Sequence, residues 1–212
     1  MRCAHTARVA YNDRYLEETM GHPAGKKEET RARILAGAGR AFRSHGYGAS
    51  GVDRLAQAAG VTSGAFYAHF SSKADAFREA VVAGLQDLES GIRAVRADAH
   101  AKWVGRFVAF YLSERRTCDP SESCALQSLT GDVSRADDET RDSYEAELRS
   151  VIDAVAEGLD APSRAARRRE SIVLLALLAG GVSLARAVRD PALAEEIAAA
   201  VRVASGRIRG KA

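Results

Sequence analysis

Residues 46–77, GYGASGVDRLAQAAGVTSGAFYAHFSSKADAF, decide the fold of this chain. Ser50 and Asp53 form an S-x-x-D capping signature, which predicts that a helix begins just after Ser50. Gly60 can adopt a positive φ without a Cβ penalty, so it predicts a sharp turn at the end of that helix. The stretch therefore indicates two helices that meet at a tight angle.

The spacing of small and apolar residues around the turn favours a helix-turn-helix. Such a pair needs a small residue four positions before the turn glycine and an apolar residue six positions after it. Ala56 and Phe66 meet both requirements. An ordinary αα-corner could share this spacing, so the spacing alone leaves both interpretations open.

The residues that follow the turn carry a longer motif. Residues 61–77 resemble the DNA-binding head of the TetR family of transcriptional regulators, whose pattern is V-[ST]-x-G-x-[LF]-Y-x-[HY]-F-x-[SN]-K-x-x-[LF]. The first nine specified positions are matched, by Val61, Thr62, Gly64, Phe66, Tyr67, His69, Phe70, Ser72 and Lys73, and Phe77 lies one residue after the tenth. The resemblance implies an all-α fold with an N-terminal three-helix helix-turn-helix head and a larger helical body that binds ligand and dimerises. It also implies a repressor that a small-molecule effector releases from its operator.

The second helix of the pair is expected to run from Thr62 or Ser63 to His69, with its amino-terminal end in the major groove. It has no Arg, Asn or Gln, which indicates modest direct readout and a large share for phosphate contacts and DNA shape. The resemblance implies that Tyr67, His69 and Lys73 bind phosphates, although Tyr67 could instead be core and His69 an inert surface residue. The candidate DNA-binding residues are Lys26, Lys27, Ser50, Thr62, Ser63, Gly64, Ala65, Tyr67, His69 and Lys73.

The charge distribution agrees with this assignment. Residues 26–73 contain eight Lys and Arg against three Asp and Glu, a net charge of +5, whereas the whole chain carries only +3. A basic region joined to a slightly acidic remainder is typical of nucleic-acid binding at one end of a protein.

Length and composition favour a globular cytoplasmic protein. The chain has 212 residues, of which 46% are hydrophobic. The most apolar run, residues 171–185, is shorter than the roughly eighteen residues that a bilayer requires, so no membrane span is expected. Residues 1–19 lack the apolar core of a signal peptide, and Met20 is an alternative translation start.

Three regions are expected: a mobile extension at 1–25, the helix-turn-helix domain at 26–72 and the effector-binding and dimerisation body at 73–212. The first helix should run from 26 to 45 and end at Gly46. A connector helix should span 72–95. Further helices are predicted at 100–114, 124–135, 139–159, 163–189 and 191–207.

The last two helices supply the candidate dimer interface. Residues 172–184 are apolar around more than one face, and a helix of this kind must bury two sides. The resemblance implies a four-helix bundle between two subunits, whereas a monomer would use the same helix as its core. The candidate interface residues are Leu174, Leu177, Leu178, Gly181, Leu193, Ile197 and Val201. A twofold dimer predicts a roughly palindromic operator.

Aromatic and apolar residues concentrate in the middle of the body, where they could line an effector pocket or form plain core. The candidates are Trp103, Phe107, Phe110, Tyr111, Cys124, Leu126, Leu129, Tyr144 and Leu148. Cys124 also resembles a cysteine of some relatives at a helix amino terminus, where the thiol pKa would be lowered. Thiol-based sensing of oxidants or electrophiles is therefore an alternative to a packed free cysteine.

Enzyme function is not predicted. The five histidines are scattered, and the sequence contains no HExxH, G-x-S-x-G or P-loop motif. We therefore expect no catalytic residue, metal or cofactor. An all-α enzyme, or a helical adaptor that does not bind DNA, remains the alternative class.

Overall fold

A computed structural model describes residues 23–211, which are almost entirely helical. The α-helices are α1 (Pro23–Ala49), α2 (Val52–Ala59), α3 (Ser63–Tyr67), α4 (Lys73–Ala99), α5 (Trp103–Phe110), α6 (Ala125–Ser128), α7 (Thr130–Val133), α8 (Asp138–Glu157), α9 (Arg164–Ala187) and α10 (Pro191–Ser205). Single turns of other helix types occupy His100–Lys102, Tyr111–Arg115 and Pro120–Glu122. Most of the predicted mobile extension lies outside the described residues.

Helices α1 to α3 form a small head around one apolar core. Ile34, Phe42, Leu55 and Phe66 are fully buried there. Helix α2 lies so close to α1 that a Cβ on Gly37 would be 2.8 Å from a backbone atom of α2. The predicted helix-turn-helix is thus present, and it is packed against α1.

The turns of the head confirm one glycine prediction and correct the capping prediction. Gly60 adopts φ 67° and ψ 36°, and the Val61 amide donates to the Ala56 carbonyl at 3.0 Å. The cap of α2 is Gly51, which makes no side-chain hydrogen bond. Ser50 is instead fully buried, so its predicted role as a cap is wrong.

The buried Ser50 hydroxyl serves the kink at the end of α1. Gly46 interrupts the helical geometry of α1 with φ 76° and ψ 167°, in agreement with its predicted role as a terminator. The Ser50 hydroxyl donates to the Gly46 carbonyl at 2.7 Å. It therefore satisfies a carbonyl that the kink removes from the helical hydrogen-bond pattern.

The connector helix α4 begins as predicted, with the Ser72 hydroxyl accepting a hydrogen bond from the Asp75 amide at 3.0 Å. It extends four residues beyond the predicted end and stops at His100, a non-glycine residue with φ 45°. One face of α4 is buried along its length, from Phe77 to Ile92. It packs against α1 in the head and α8 in the body.

The body departs from the sequence prediction mainly in its middle segment. The helices predicted at 100–114 and 124–135 are broken into shorter pieces, whereas α8, α9 and α10 lie within a few residues of their predicted bounds. The carboxyl-terminal tail folds back, since the Asp160 amide donates to the Arg209 carbonyl at 2.9 Å and the Lys211 amide donates to the Gly158 carbonyl at 2.7 Å.

Helix α9 has a property that the sequence prediction did not anticipate. Among the helices between residues 23 and 211, α9 is the one that is long and apolar enough to cross a membrane, judged by length and composition alone. Only 39% of its most apolar window is buried within the protomer. It packs against α8, α10 and α6, and core helices of soluble proteins meet the same criterion.

Candidate nucleic-acid interface and ligand cavity

Helix α3 presents its polar and small residues to the outside while one aromatic ring anchors it. Thr62 caps the helix by accepting a hydrogen bond from the Ala65 amide at 3.1 Å. Phe66 is fully buried, whereas the next residue, Tyr67, is 56% exposed. Tyr67 is therefore not a core residue, and its hydroxyl is accessible.

The candidate residues near the start of α3 are also accessible. Thr62 and Gly64 are exposed, and Ser63 and Ala65 are half-buried. The Ser63 hydroxyl donates to the Asp53 carboxylate of α2 at 2.6 Å. This contact across the turn was not predicted, because ten residues separate the two side chains in the sequence.

Lys73 and His69 lie at the other end of the head. The Lys73 ammonium donates to the Tyr47 carbonyl at 3.1 Å and sits 4.0 Å above the centre of the Tyr47 ring. An ammonium has three donors, so it can still bind a phosphate oxygen. His69 is half-buried, and its Nδ1 has no hydrogen-bond partner within the described residues.

The remaining basic candidates differ in their surroundings. Lys26 and Lys27 are exposed at the start of α1. Arg31, which was not a candidate, pairs with Glu79 of α4 at 2.5 Å and stacks on the Phe70 ring at 4.8 Å. The Ser50 side chain is buried, and the Ser50 amide, which was expected to bind a phosphate, donates to the Tyr47 carbonyl at 3.3 Å.

A cavity of about 660 Å³ lies in the body beside α4. Four predicted pocket residues line it, namely Phe107, Phe110, Tyr111 and Cys124. Leu88 and Val95 of α4 add apolar wall, and Arg43 reaches into it from the head. The volume is within the usual range of small-molecule sites, which is about 300–1,000 Å³.

The other five predicted pocket residues lie elsewhere. Leu126 and Leu129 are buried in the core and do not line this cavity. Trp103 is buried where its indole nitrogen donates to the Gly158 carbonyl at 2.9 Å. Tyr144 and Leu148 line a separate cavity beside α7, and the Tyr144 and Thr130 hydroxyls are 2.8 Å apart.

The polar side of the cavity contains a buried phenol, a thiol and a guanidinium. The Tyr111 hydroxyl donates to the Cys124 sulfur at 2.6 Å, and burial together with this cysteine raises the pKa of Tyr111 well above its usual value. Burial lowers the pKa of Arg43, an effect that Glu122 and Asp87 oppose. Both Tyr111 and Arg43 keep their ordinary protonation states near neutral pH.

Two hydrogen bonds join the end of α1 directly to the body. The Arg43 Nε donates to the Ser121 carbonyl at 2.7 Å. The Tyr47 amide donates to the Asp132 carboxylate at 2.8 Å. The head is therefore tied to the body through side chains as well as through α4, and one of these ties forms part of the cavity wall.

The outer face of α9 and α10 exposes large apolar side chains, but these differ from the predicted set. Leu174, Leu178 and Gly181 are buried inside the protomer, and a Cβ on Gly181 would lie 2.6 Å from Val201 of α10. Their predicted placement at a free interface is wrong, because this side of α9 packs internally. The exposed large apolar residues of the face are Ile172, Val173, Leu184, Leu193 and Val203. Of the predicted residues, Leu193 is on this face, and Leu177, Ile197 and Val201 are half-buried.

The titratable side chains of the described residues include types that commonly ligate metal ions. Among residues 23–211, no group of three or more His, Cys, Asp and Glu side chains is placed to hold a metal ion. Cys118 and Cys124 are free thiols.

Sequence comparison identifies the head. The family model described as bacterial regulatory proteins, tetR family, matches residues 34–80. The HTH-type transcriptional activator FasR of Mycolicibacterium smegmatis is 36% identical over 67 residues, which are 32% of this chain and 31% of that protein. The HTH-type transcriptional regulator AcrR of Shigella flexneri is 39% identical over 79 residues, or 37% and 34% of the two chains. The matches span about a third of the length of these curated relatives.

Comparison of structures extends the likeness to the body. A TetR-family transcriptional regulator from Agrobacterium tumefaciens superposes with a TM-score of 0.71, covering 86% of this chain and 99% of the other at 18% identity. The reduced form of NemR from E. coli superposes with a TM-score of 0.66, covering 82% and 95% at 20% identity. These structures share the all-α fold with the amino-terminal helix-turn-helix. The head at residues 34–80 thus matches the tetR-family model, and the chain as a whole shares the fold of TetR-family structures.

Proposed function

We propose that this chain is a homodimeric, sequence-specific DNA-binding transcriptional regulator, and that it is a repressor released from its operator by a small molecule. The observation that carries the proposal is helix α3, where buried Phe66 fixes a helix whose accessible residues include Thr62, Gly64 and Tyr67. The basic head supplies the electrostatic attraction to DNA.

A gel-shift titration tests DNA binding. The probe is duplex DNA from beside the gene that encodes this chain, and the control is a shuffled duplex of the same composition. We expect retardation of the first probe alone, with affinity that falls as salt rises because phosphate contacts release counterions. Absence of retardation even at low salt would contradict the proposal and favour the adaptor or the enzyme. A reporter fused to the bound promoter then tests repression, since the relative FasR is named an activator.

The apolar outer face of α9 and α10 supports the homodimer. Leu184 is 62% exposed and Val203 is 78% exposed, although both are large apolar residues. A Cβ on Gly180 would meet no atom within 4 Å, so the backbone of α9 can approach a second helix closely there. We place the partner copy on this face, and we place the protein in the cytoplasm with its DNA. Fractionation of cells without detergent should leave it in the supernatant.

We assign the effector to the cavity beside α4. Its apolar wall of Leu88, Phe107 and Phe110 faces a polar side formed by Arg43 and Tyr111, so it suits a molecule with an apolar body and one polar end. A ligand that displaces Arg43 would weaken the Arg43 bond to Ser121 and thereby alter how the head is held.

Gly91 allows this cavity to be filled without a clash. It lines the cavity, and a Cβ there would meet no atom within 4 Å. A library of amphipathic compounds is first screened for those that raise the melting temperature of the wild type. Gly91→Phe should abolish the rise in melting temperature that these compounds cause. Gly105→Phe is the matched control, since Gly105 is equally open but lies on a different cavity. Equal loss of ligand response in both variants would contradict this assignment.

Thiol sensing is a second candidate, favoured by the position of Cys124 in the same wall. Its sulfur accepts a hydrogen bond from the buried Tyr111 hydroxyl and is half-buried in the cavity. Operator release by an oxidant should be lost in Cys124→Ser and retained in Cys118→Ser. An unchanged response in Cys124→Ser would exclude this candidate.

A further inference from the structure

The contact between Ser63 and Asp53 determines the hydrogen-bonding polarity of the α3 surface. The Ser63 hydroxyl donates to Oδ1 of Asp53 at 2.6 Å. Asp53 is exposed on α2, and Ser63 is the first residue of α3. The two side chains thus meet on the accessible side of the turn.

A serine hydroxyl has one hydrogen and two lone pairs, and an ionised carboxylate only accepts. Because the hydrogen of Ser63 is used by Asp53, the sites left for a ligand are the lone pairs of Ser63 and the second oxygen of Asp53. The pair therefore presents acceptors alone. An isolated serine would present either a donor or an acceptor, because its hydroxyl rotates freely.

The contact is not needed to set the angle between the two helices. That angle is already fixed by the buried Ala56 and Phe66 and by the backbone hydrogen bond from Val61 to Ala56. A carboxylate at the DNA face also repels phosphates, which weakens binding to DNA of any sequence. A role in discrimination between bases accounts for its presence.

We propose that Asp53 and Ser63 form an acceptor-only reading pair that selects an amino base, adenine or cytosine, at one position of each half-site. This inference rests on the proposed DNA-binding function. In the major groove adenine N6 and cytosine N4 are donors, whereas guanine O6 and thymine O4 are acceptors. Two acceptors that face each other repel, so guanine and thymine on the contacted strand are disfavoured. The pair thus supplies direct readout to a helix that has no Arg, Asn or Gln.

The test is selection of binding sites from a random duplex library by the full-length protein, followed by sequencing of the retained DNA. In the sites selected by the wild type, one position of each half-site should contain adenine or cytosine about fivefold more often than guanine or thymine. This ratio corresponds to the free energy of one net hydrogen bond. Asp53→Ala should reduce this ratio to near one at that position, because the freed Ser63 hydroxyl can donate as well as accept. Ser63→Ala should lower the ratio there, because the serine lone pairs are lost, and both variants should leave the other positions unchanged. Asp53→Ala should also bind all sequences more tightly, because a negative charge is lost.

Glu29→Ala is the matched control for charge. It removes an exposed acid of the head that lies on α1, away from the pair. It should raise overall affinity and preserve the base preference.

The possible outcomes separate the two proposals. If wild type enriches no sequence, the proposed function fails and this inference fails with it. If wild type enriches a site but neither variant changes the amino-base preference at any position, the inference fails while the proposed function stands. A purely structural contact would lower the melting temperature and weaken all sequences equally, which would also overturn the inference.

Discussion

Neighbouring residues of α3 have opposite environments, and this difference decides their roles. Phe66 is fully buried and Tyr67 is 56% exposed, yet their rings meet edge to face with centroids 5.6 Å apart. The buried ring thus fixes the exposed one. The Tyr67 hydroxyl is held at a defined place on the surface that we propose for DNA.

Tyr67→Phe tests this role by removal of a single oxygen. If the hydroxyl binds a phosphate, operator affinity should fall by about threefold to tenfold, the value of one hydrogen bond, with no change in melting temperature. Fluorescence anisotropy with labelled operator measures the affinity. Tyr144→Phe, which removes a hydroxyl from the body, should bind DNA as the wild type does. Equal affinity of Tyr67→Phe and wild type would exclude the contact.

Ionisation of Asp75, in the first turn of α4, makes the stability of the fold depend on pH. Partial burial opposes ionisation, but hydrogen bonds from the Ser71 amide and hydroxyl, each 2.9 Å long, outweigh it and lower the pKa of Asp75. Since the folded pKa is lower than the unfolded one, this group stabilises the fold above about pH 3.9 and loses that effect as the pH falls further.

Asp75→Asn should therefore lower the melting temperature at pH 7. The difference from wild type should shrink as the pH falls below about 3.9, because the carboxylate takes up a proton in the unfolded chain before it does so in the folded protein. Circular dichroism melts across this range measure both effects. A difference that stays constant down to the lowest pH would show that ionisation of Asp75 is not involved.

Ser50 illustrates what a local pattern can and cannot predict. The S-x-x-D signature correctly located the start of α2, but Gly51 occupies the cap position. The Ser50 hydroxyl is used by Gly46, whose φ of 76° leaves a carbonyl to be satisfied. The sequence marked Gly46 as a terminator, yet the direction of the chain after the kink depends on packing of α2 against α1.

At the scale of the element, α9 shows how a helix that is apolar on all sides conceals its register. The sequence predicted that two faces would be buried without showing which face meets α8 and α10. Leu174 and Leu178 lie on the internal side, whereas Val173 and Leu184 lie on the outer side. The choice depends on Val201 of α10, which packs against Gly181.

Leu184→Glu tests the outer face as a dimer interface. A charge at the centre of an apolar interface loses its hydration, so we expect the variant to be monomeric in light scattering coupled to size exclusion. Ala146→Glu places the same charge on an exposed position of α8 and should leave the dimer intact. A dimeric Leu184→Glu protein would place the partner copy on another face.

The cavity shows a similar limit of sequence reasoning. Phe107 and Tyr111 are one helical turn apart, and both line the cavity as predicted. Trp103 belongs to the same helix but is removed from the cavity by the carboxyl-terminal tail, since a Cβ on Gly210 would lie 2.7 Å from its ring. A contact between residues more than 100 positions apart has no local signal in the sequence. Aromatic clustering alone therefore predicted more lining residues than the cavity has.

At the scale of the whole molecule, Tyr47 connects the three parts. Its amide donates to Asp132 of the body, and its carbonyl accepts from Lys73 of the connector. Its ring packs on Phe77 of the connector with centroids 4.8 Å apart. Lys73 is also a proposed phosphate contact, and with that contact the body and the DNA would act on the same short segment. A change at Asp132 can therefore reach a proposed DNA-binding residue through the single residue Tyr47.

Asp132→Ala should uncouple the two sites while leaving each one intact. Asp132 does not line the cavity beside α4, so ligand affinity of the free protein should be unchanged. In allosteric proteins a ligand typically changes the affinity for the second ligand by about fivefold to 150-fold. In Asp132→Ala, the factor by which the ligand weakens operator binding should be at least about threefold smaller than in wild type. Arg135→Ala is the control, since it removes the Arg135 ion pair with Asp132 at 2.8 Å and keeps the bond to Tyr47.

Because coupling is reciprocal, operator DNA should weaken ligand binding by the same reduced factor in Asp132→Ala, measured by calorimetry with and without DNA. Full coupling in Asp132→Ala would show that the signal passes through α4 or Arg43 instead.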